Sequence, residues 1–192
     1  MDDQAYLQIP GWFNFEDVYR DIVAQAQPGA HFVEVGVYCG RSTCFMATEI
    51  AKSGKLLVFD AVDIFCDGHL TSPSQKEILN RFGTQLHACR HYLVQANIDH
   101  LVTLVALPSV QAASLYADNS LDFIWLDAGH DFASVSADLK AWAPKLKRGG
   151  TIGGHDYWND EQAAQVQAAV DGFFEIEPGS ARQGESSWLL RR

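Results

Sequence analysis

Phe32-Val-Glu-Val-Gly-Val-Tyr-Cys-Gly-Arg-Ser42 decides the fold class. An apolar run enters Gly36, and Gly40 stands just before residues that read as a helix. A buried strand that turns through glycine into a helix is the opening unit of an α/β sheet. Two later stretches repeat the pattern of a strand ending in a polar residue. Leu56-Leu-Val-Phe-Asp60 closes on an acid, and Leu121-Asp-Phe-Ile-Trp-Leu-Asp127 closes on an acid followed by Ala-Gly-His130. In an open parallel sheet, ligands bind outside the carboxyl ends of the strands. The three ends would converge on one edge, which points to a nucleotide-like cofactor.

Outward from this unit, strands and helices alternate. Asn14 would cap a first helix, with Phe15, Val18, Tyr19, Ile22, Val23 and Ala26 at helical spacing. Strands are expected at His31–Val35, Leu56–Phe59, Val102–Ala106, Asp122–Leu126 and Thr151–Gly154. Helices are expected over Ser42–Lys52, Ser74–Phe82, Leu86–Ala96 and Ser109–Tyr116, along the face Phe132, Val135, Leu139, Trp142, and along Val166, Val170, Phe173. Phe174–Glu177 and Ser187–Leu190, with no helix between them, should form a closing antiparallel hairpin. The reading is a Rossmann-like three-layer α/β sandwich: a mostly parallel seven-stranded sheet ending in that hairpin. Residues 1–192 form one domain on this reading, with 61–85 as an irregular insertion that would wall a substrate pocket.

Bulk properties exclude several classes. With 47% hydrophobic and 20% charged residues the chain is neither disordered nor fibrous. A formal charge of -10 makes it a poor partner for phosphate backbones or anionic lipid, so neither nucleic acid nor membrane is an expected partner. The basic group Lys140, Lys145, Lys147 and Arg148 reads as a solvated helix end. The acidic opening Met1-Asp-Asp-Gln does not resemble a signal peptide, and no apolar stretch approaches the roughly 18 residues of a membrane span. Cys39, Cys44, Cys66 and Cys89 form no Cys-x-x-Cys pair, which argues against zinc and for reduced thiols in a cytoplasmic protein.

The residues that could carry chemistry lie at the predicted strand ends. Gly36 would let a ligand approach closely, and the helix amides after Gly40 would attract a carboxylate or phosphate. The spacing is not the dinucleotide Gly-x-Gly-x-x-Gly, since Tyr38 replaces its middle glycine, and no Gly-Lys-Ser/Thr phosphate loop exists. Asp60 could accept both ribose hydroxyls of an adenosine group. Ser109 would either contact the adenine or cap its own helix. Asp127 and the pair His155-Asp156 could hold a hard cation, and His130 could take a proton from a hydroxyl. The plainer alternative is that Asp127 binds only cofactor and both histidines order loops.

Taken together, these residues resemble class I S-adenosylmethionine-dependent methyltransferases, in the small branch that includes antibiotic-sugar O-methyltransferases (methyltransferase family 24-like). Val33-Glu-Val-Gly-Val-Tyr-Cys-Gly-Arg-Ser-Thr43 is similar to that branch's first cofactor motif, and Leu126-Asp-Ala-Gly-His-Asp-Phe132 to its Asp-x-x-His loop. Gly149-Gly-Thr-Ile-Gly-Gly-His-Asp-Tyr157 and Val170-Asp-Gly-Phe-Phe174 resemble its final strand and helix. The resemblance runs from Gly11-Trp-Phe to about Phe174.

It implies that S-adenosylmethionine binds along Glu34, Gly36, Tyr38, Gly40 and Ser42, with Asp60 on the ribose and Ser109 and Asp127 beside it. It implies Mg2+ at Asp127, His155 and Asp156, although His155 departs from the acid or amide expected there, and it implies His130 as the base. The expected reaction is O-methylation of a small hydroxylated acceptor, with a homodimer left open. The rivals are a nicotinamide-dependent oxidoreductase and a non-catalytic cofactor-binding protein of the same fold.

Overall fold

A computed structural model describes residues 3–157 and 163–192. Seven strands form one sheet in the order β3-β2-β1-β4-β5-β7-β6. They are β1 His31–Val35, β2 Val58–Asp63, β3 Thr103–Ala106, β4 Leu121–Leu126, β5 Leu146–Gly154, β6 Arg182–Gln183 and β7 Ser187–Arg191. The first five pair in parallel, and β7 runs antiparallel to both β5 and β6. The described helices are α1 Glu16–Gln25, α2 Arg41–Ser53, α3 Pro73–Phe82, α4 Gln85–Gln95, α5 Ser109–Ala113, α6 Phe132–Trp142 and α7 Ala163–Phe174.

Successive side chains of a strand point to opposite faces, so a strand covered on both sides must be apolar at every position. Phe32, Phe59, Phe123 and Trp125 enter a core with Tyr19 of α1, Phe45 and Met46 of α2 and Leu93 of α4. Their neighbours Val33, Val62, Ile124 and Leu126 enter the opposite core with Ala113 of α5, Leu139 and Trp142 of α6 and Val170 of α7. These two cores make the three layers expected from the alternation of strands and helices.

The chain leaves β1 toward β2 and β3 on one side, then returns to place β4 and β5 on the other. The order therefore reverses between β1 and β4, and at such a point the loops diverge and leave a crevice. Here the two loops also touch. Asp127 N donates to the Val35 carbonyl at 2.7 Å, and a Cβ added to Gly36 would sit 1.9 Å from the Asp127 carbonyl oxygen. Gly36, at φ +98°, is thus demanded by the β4 loop lying against it, where the sequence suggested the approach of a ligand.

Several sequence-based boundaries need correction. β2 starts two residues later than expected and runs on to Asp63, because both of its acids find donors within the fold. β5 begins at Leu146, five residues before the predicted start. Its glycines make room for the hairpin: a Cβ on Gly154 would lie 2.6 Å from the Trp188 indole nitrogen. Phe174 closes α7 and begins no strand; Glu175 turns the chain at φ +53°, and the hairpin partner of β7 is Arg182–Gln183. The alternating Phe-Phe-Glu-Ile-Glu reads as a strand only when its helical neighbours are ignored. α5 stops at Ala113, which frees Tyr116 to bond Asp60. Asn14 does not cap α1; its side chain reaches Ser186 and His155. α3 carries a capping box of Ser72 and Gln75. Lys145 and Lys147 of the basic group pair with Asp118 and Asp122.

Candidate active site

A cleft of about 930 Å³ opens along the carboxyl ends of β1, β2, β4 and β5. Eight of the predicted site residues line it: Gly36, Tyr38, Ser42, Ser109, Asp127, His130, His155 and Asp156. Glu34, Gly40 and Asp60 do not.

Glu34 is fully buried on β1, where it accepts hydrogen bonds from Tyr19 Oη at 2.8 Å and from Thr43 Oγ1. Burial pushes its carboxyl up to about 7, against the pull of the hydroxyls of Ser42, Thr43 and Tyr19. It therefore holds the glycine turn from below. Gly40 packs on α4, where an added Cβ would lie 3.0 Å from Cys89 Sγ.

Asp60 lies mid-strand, opposite Val33 on β1 and Thr103 on β3. It accepts from Tyr116 Oη at 3.0 Å and lies 2.8 Å from His31 Nε2. Burial opposes its charge, but His31 and Tyr116 outweigh it and hold the carboxyl below the usual range. The acid at the true end of β2 is Asp63, which sequence reading missed because it took the strand to stop with its apolar run. Asp63 lines the cleft; its Oδ2 accepts from the amides of Val37 and Tyr38 at 2.8 and 2.9 Å, and its Oδ1 from Phe65 N at 2.7 Å. It thereby fixes the β1 turn, in which Tyr38 takes φ +53°. Ser109 opens α5 without a side-chain cap; its hydroxyl donates to Asp138 at 2.6 Å and accepts from Trp142 Nε1 at 2.9 Å.

The β4 and β5 loops bring Asp127, His130 and Asp156 together, with one donor atom from each within 4.8 Å of the others. His130 Nε2 lies 2.9 Å from Asp156 Oδ2 and 3.5 Å from Asp127 Oδ1, yet it is buried with no aligned hydrogen-bond partner. Asp127 and then Asp156 push the imidazole up to about 10, so in this arrangement it carries its proton at neutral pH. Asp156 is held well below the usual carboxylate range by His130 and His155, whereas burial raises Asp127. Asp156 sits at φ +57°, in the left-handed region that aspartate tolerates better than most residues. His155 stands behind this group. Its Nε2 is 2.8 Å from Asn14 Oδ1 and 2.7 Å from Ser186 Oγ, and its Nδ1 is 3.4 Å from Asp156 Oδ2. The sequence grouped Asp127, His155 and Asp156; the fold groups Asp127, His130 and Asp156.

The second wall is built from Asp63, Ile64, Cys66, His69, Leu70 and Gln75, within the irregular segment 61–85. Gly11, Trp12 and Arg41 close the remaining side. Among the described residues, no helix is long and apolar enough to cross a membrane.

A glycine turn after β1, an acid at the end of β2 and a carboxylate–histidine group after β4 and β5 thus share one cleft at the carboxyl edge of a Rossmann-like sheet. Residues 33–157 match the family model described as "Methyltransferase domain", and the chain belongs to that family of S-adenosylmethionine-dependent methyltransferases. This sets the nicotinamide alternative aside. The fold is similar to that of the cofactor-bound Rv0187 from MTB, with a TM-score of 0.63 at 16% identity, covering 97% of this chain and 84% of that one. It is also similar to the O-methyltransferase from Bacillus cereus in complex with SAH, with a TM-score of 0.55 at 14% identity, covering 100% of this chain and 82% of that one.

Proposed function

We propose that the protein transfers the methyl group of S-adenosylmethionine to a hydroxyl of a small molecule. The observation that carries this reading is the group Asp127, His130 and Asp156 on the same cleft as the Gly36 turn. Asp63, which lines the cleft where Asp60 does not, would receive the ribose hydroxyls. Tyr38, Ser42 and the first turn of α2 would hold the methionine portion, on the same cleft as His130. The acceptor oxygen attacks in line: an O–C bond forms, the C–S bond breaks, and S-adenosylhomocysteine leaves. Because the methyl is already electrophilic, the protein's task is to hold the oxygen at near-attack distance, which can supply roughly 7–11 kcal/mol.

The residues fit a divalent cation such as Mg2+. Two carboxylates converge, each with an oxygen near the same imidazole nitrogen, so that one donor atom from each of the three residues lies within 4.8 Å of the others. Asp127 and Asp156 would hold the ion, which would lower the pKa of the acceptor hydroxyl. His130 supplies the positive charge between those carboxylates in its protonated state. With a cation there, His130 would release its own proton to solvent and could then accept the hydroxyl proton, while His155, bonded to Asn14 and Ser186, would keep Asp156 in place.

The test is formation of S-adenosylhomocysteine with a panel of sugars, phenols and other hydroxylated metabolites, before and after chelation. His130→Asn keeps size and polarity but cannot act as a base, so turnover should fall about 10²–10⁴-fold with cofactor affinity spared. Near-native turnover in that variant would return His130 to loop ordering. Full activity after rigorous metal removal would remove the cation from the reading.

A further inference from the structure

Trp12 lines the cleft and has no role in the chemistry above. Its neighbours in the chain are drawn into the core. Ile9 and Phe15 are buried, and the Phe13 ring meets those of Tyr6, Phe15 and Phe45. Trp12 itself is 79% exposed. A loose backbone does not account for this. The Gly11 carbonyl accepts from Arg41 Nη1 at 2.8 Å, and Asn14 Oδ1 lies 2.8 Å from His155 Nε2. The indole is therefore carried between two pins, one at the start of α2 and the other beside Asp156. Single exposed apolar residues are ordinary on a surface, but an indole fixed on the wall of a cleft offers a face to a ligand. The Tyr38 ring, 6.2 Å away, extends that face, and Ile64, 49% exposed, adds apolar area in the same cleft.

The polar side chains of the outer wall are occupied by the fold. Gln75 Oε1 accepts from the amides of Thr71 and Ser72 at 3.1 and 3.0 Å. Gln85 Nε2 donates to the Tyr38 carbonyl at 3.2 Å, and Asp63 accepts from the amides of Val37, Tyr38 and Phe65. A sugar carries a hydroxyl on nearly every carbon, and each one buried without a partner costs free energy. An aryl ring needs only a flat apolar face and a polar end, and stacking on another ring adds to the burial of its area. The cleft supplies the face at Trp12 and the polar end at Asp127, His130 and Asp156.

We propose that Trp12 is the acceptor platform of the cleft and that the acceptor is an aryl hydroxyl, its ring laid on the indole and its oxygen toward Asp127, His130 and Asp156. The inference rests on the methyl-transfer reading and narrows its small hydroxylated acceptor to an aryl one, in place of a sugar. In the transfer the aryl O–C bond forms, the C–S bond breaks, and the hydroxyl proton passes to His130.

Calorimetry on the wild type, Trp12→Leu and Trp12→Phe tests this. Each protein is first titrated with S-adenosylhomocysteine. The saturated protein is then titrated, in magnesium buffer, with catechol, with cis-1,2-cyclohexanediol and with methyl α-D-glucopyranoside. The diol keeps the paired hydroxyls of catechol and lacks its flat ring. The wild type should prefer catechol to the other two at least tenfold. Trp12→Leu, which keeps apolar bulk without a face, should weaken catechol at least fivefold and leave the diol within twofold. Trp12→Phe should keep most of the preference. S-adenosylhomocysteine affinity and melting temperature should be unchanged in both variants, because the exposed indole is no part of the core.

A catechol preference equally strong in Trp12→Leu overturns the platform, because the selectivity then lies in the hydroxyl pair or a metal. Equal weakening of catechol and diol makes Trp12 a general wall and overturns the aryl reading, as does tighter binding of the glucoside. Catechol that fails to bind the saturated wild type at millimolar concentration also overturns the platform, since a face that reads the ring alone must hold a simple one. In each of these cases the methyl-transfer reading stands. A wild type that binds no S-adenosylhomocysteine overturns that reading and the platform with it.

Discussion

At the residue scale, two acids three positions apart on β2 have different duties. Asp60 is enclosed by His31 and Tyr116 inside the sheet, while Asp63 faces the cleft and gathers the amides of the β1 turn. Asp63→Ala should therefore weaken S-adenosylhomocysteine binding at least tenfold, because it removes an acceptor and releases the turn. Asp60→Ala should leave that affinity within about twofold but lower the melting temperature. Losing a partner from a buried hydrogen-bonded group costs roughly 1–3 kcal/mol. Calorimetry and thermal melts on both variants check the pair, and a cofactor defect confined to Asp60→Ala would restore the sequence-based assignment. A run of apolar letters marks where a strand is buried, not where it stops, and so Asp63 was not legible as a strand end.

At the element scale, β5 shows why glycine in a strand need not mark weakness. Gly153 and Gly154 leave space that Trp188 and Leu189 of β7 occupy. Trp188 is fully buried there and belongs to the core beneath α6 and α7. A methyl group at Gly154 would lie 2.3 Å from the Leu126 carbonyl as well as against the indole. Gly154→Ala should then destabilise the fold by about 2 kcal/mol or more, at the upper side of what overpacking usually costs. Chemical denaturation measures this, and a variant as stable as the wild type would mean that β7 slides away freely. Because β5 ends beside His155 and Asp156, the variant should also lose affinity for any divalent ion held there.

At the scale of the whole molecule, Glu34 joins the two ends of the design. It sits on β1 under the glycine turn and is bonded by Tyr19 of α1 and Thr43 of α2. An unfolded glutamate titrates near pH 4.3, and burial raises this one to about 7 in the fold. Between those values the native state binds more protons than the unfolded chain, so stability falls as pH rises. The contribution of Glu34 is full below the unfolded value and lost as pH passes through 7. Glu34→Gln does not titrate, so its melting temperature relative to the wild type should rise between about pH 5 and 7 and level off above that. Thermal melts across that range test this, and a difference that is flat with pH would mean that Glu34 is ionised throughout.

The sequence by itself determined the sheet, its layers and the edge that carries the site. Apolar runs broken by glycine, and helices with one apolar face, encode those features in the spacing of neighbours along the chain. It also named eight of the residues that line the cleft, because strand ends can be read locally. Only the tertiary structure decided which of two acids ends β2, that His130 in place of His155 joins Asp127 and Asp156, and that Gly36 yields to the β4 loop. Each of these depends on contacts between residues from 25 to more than 90 positions apart. Only the packed sheet fixes such distances, because local spacing along a chain carries no record of which distant loop will lie beside it.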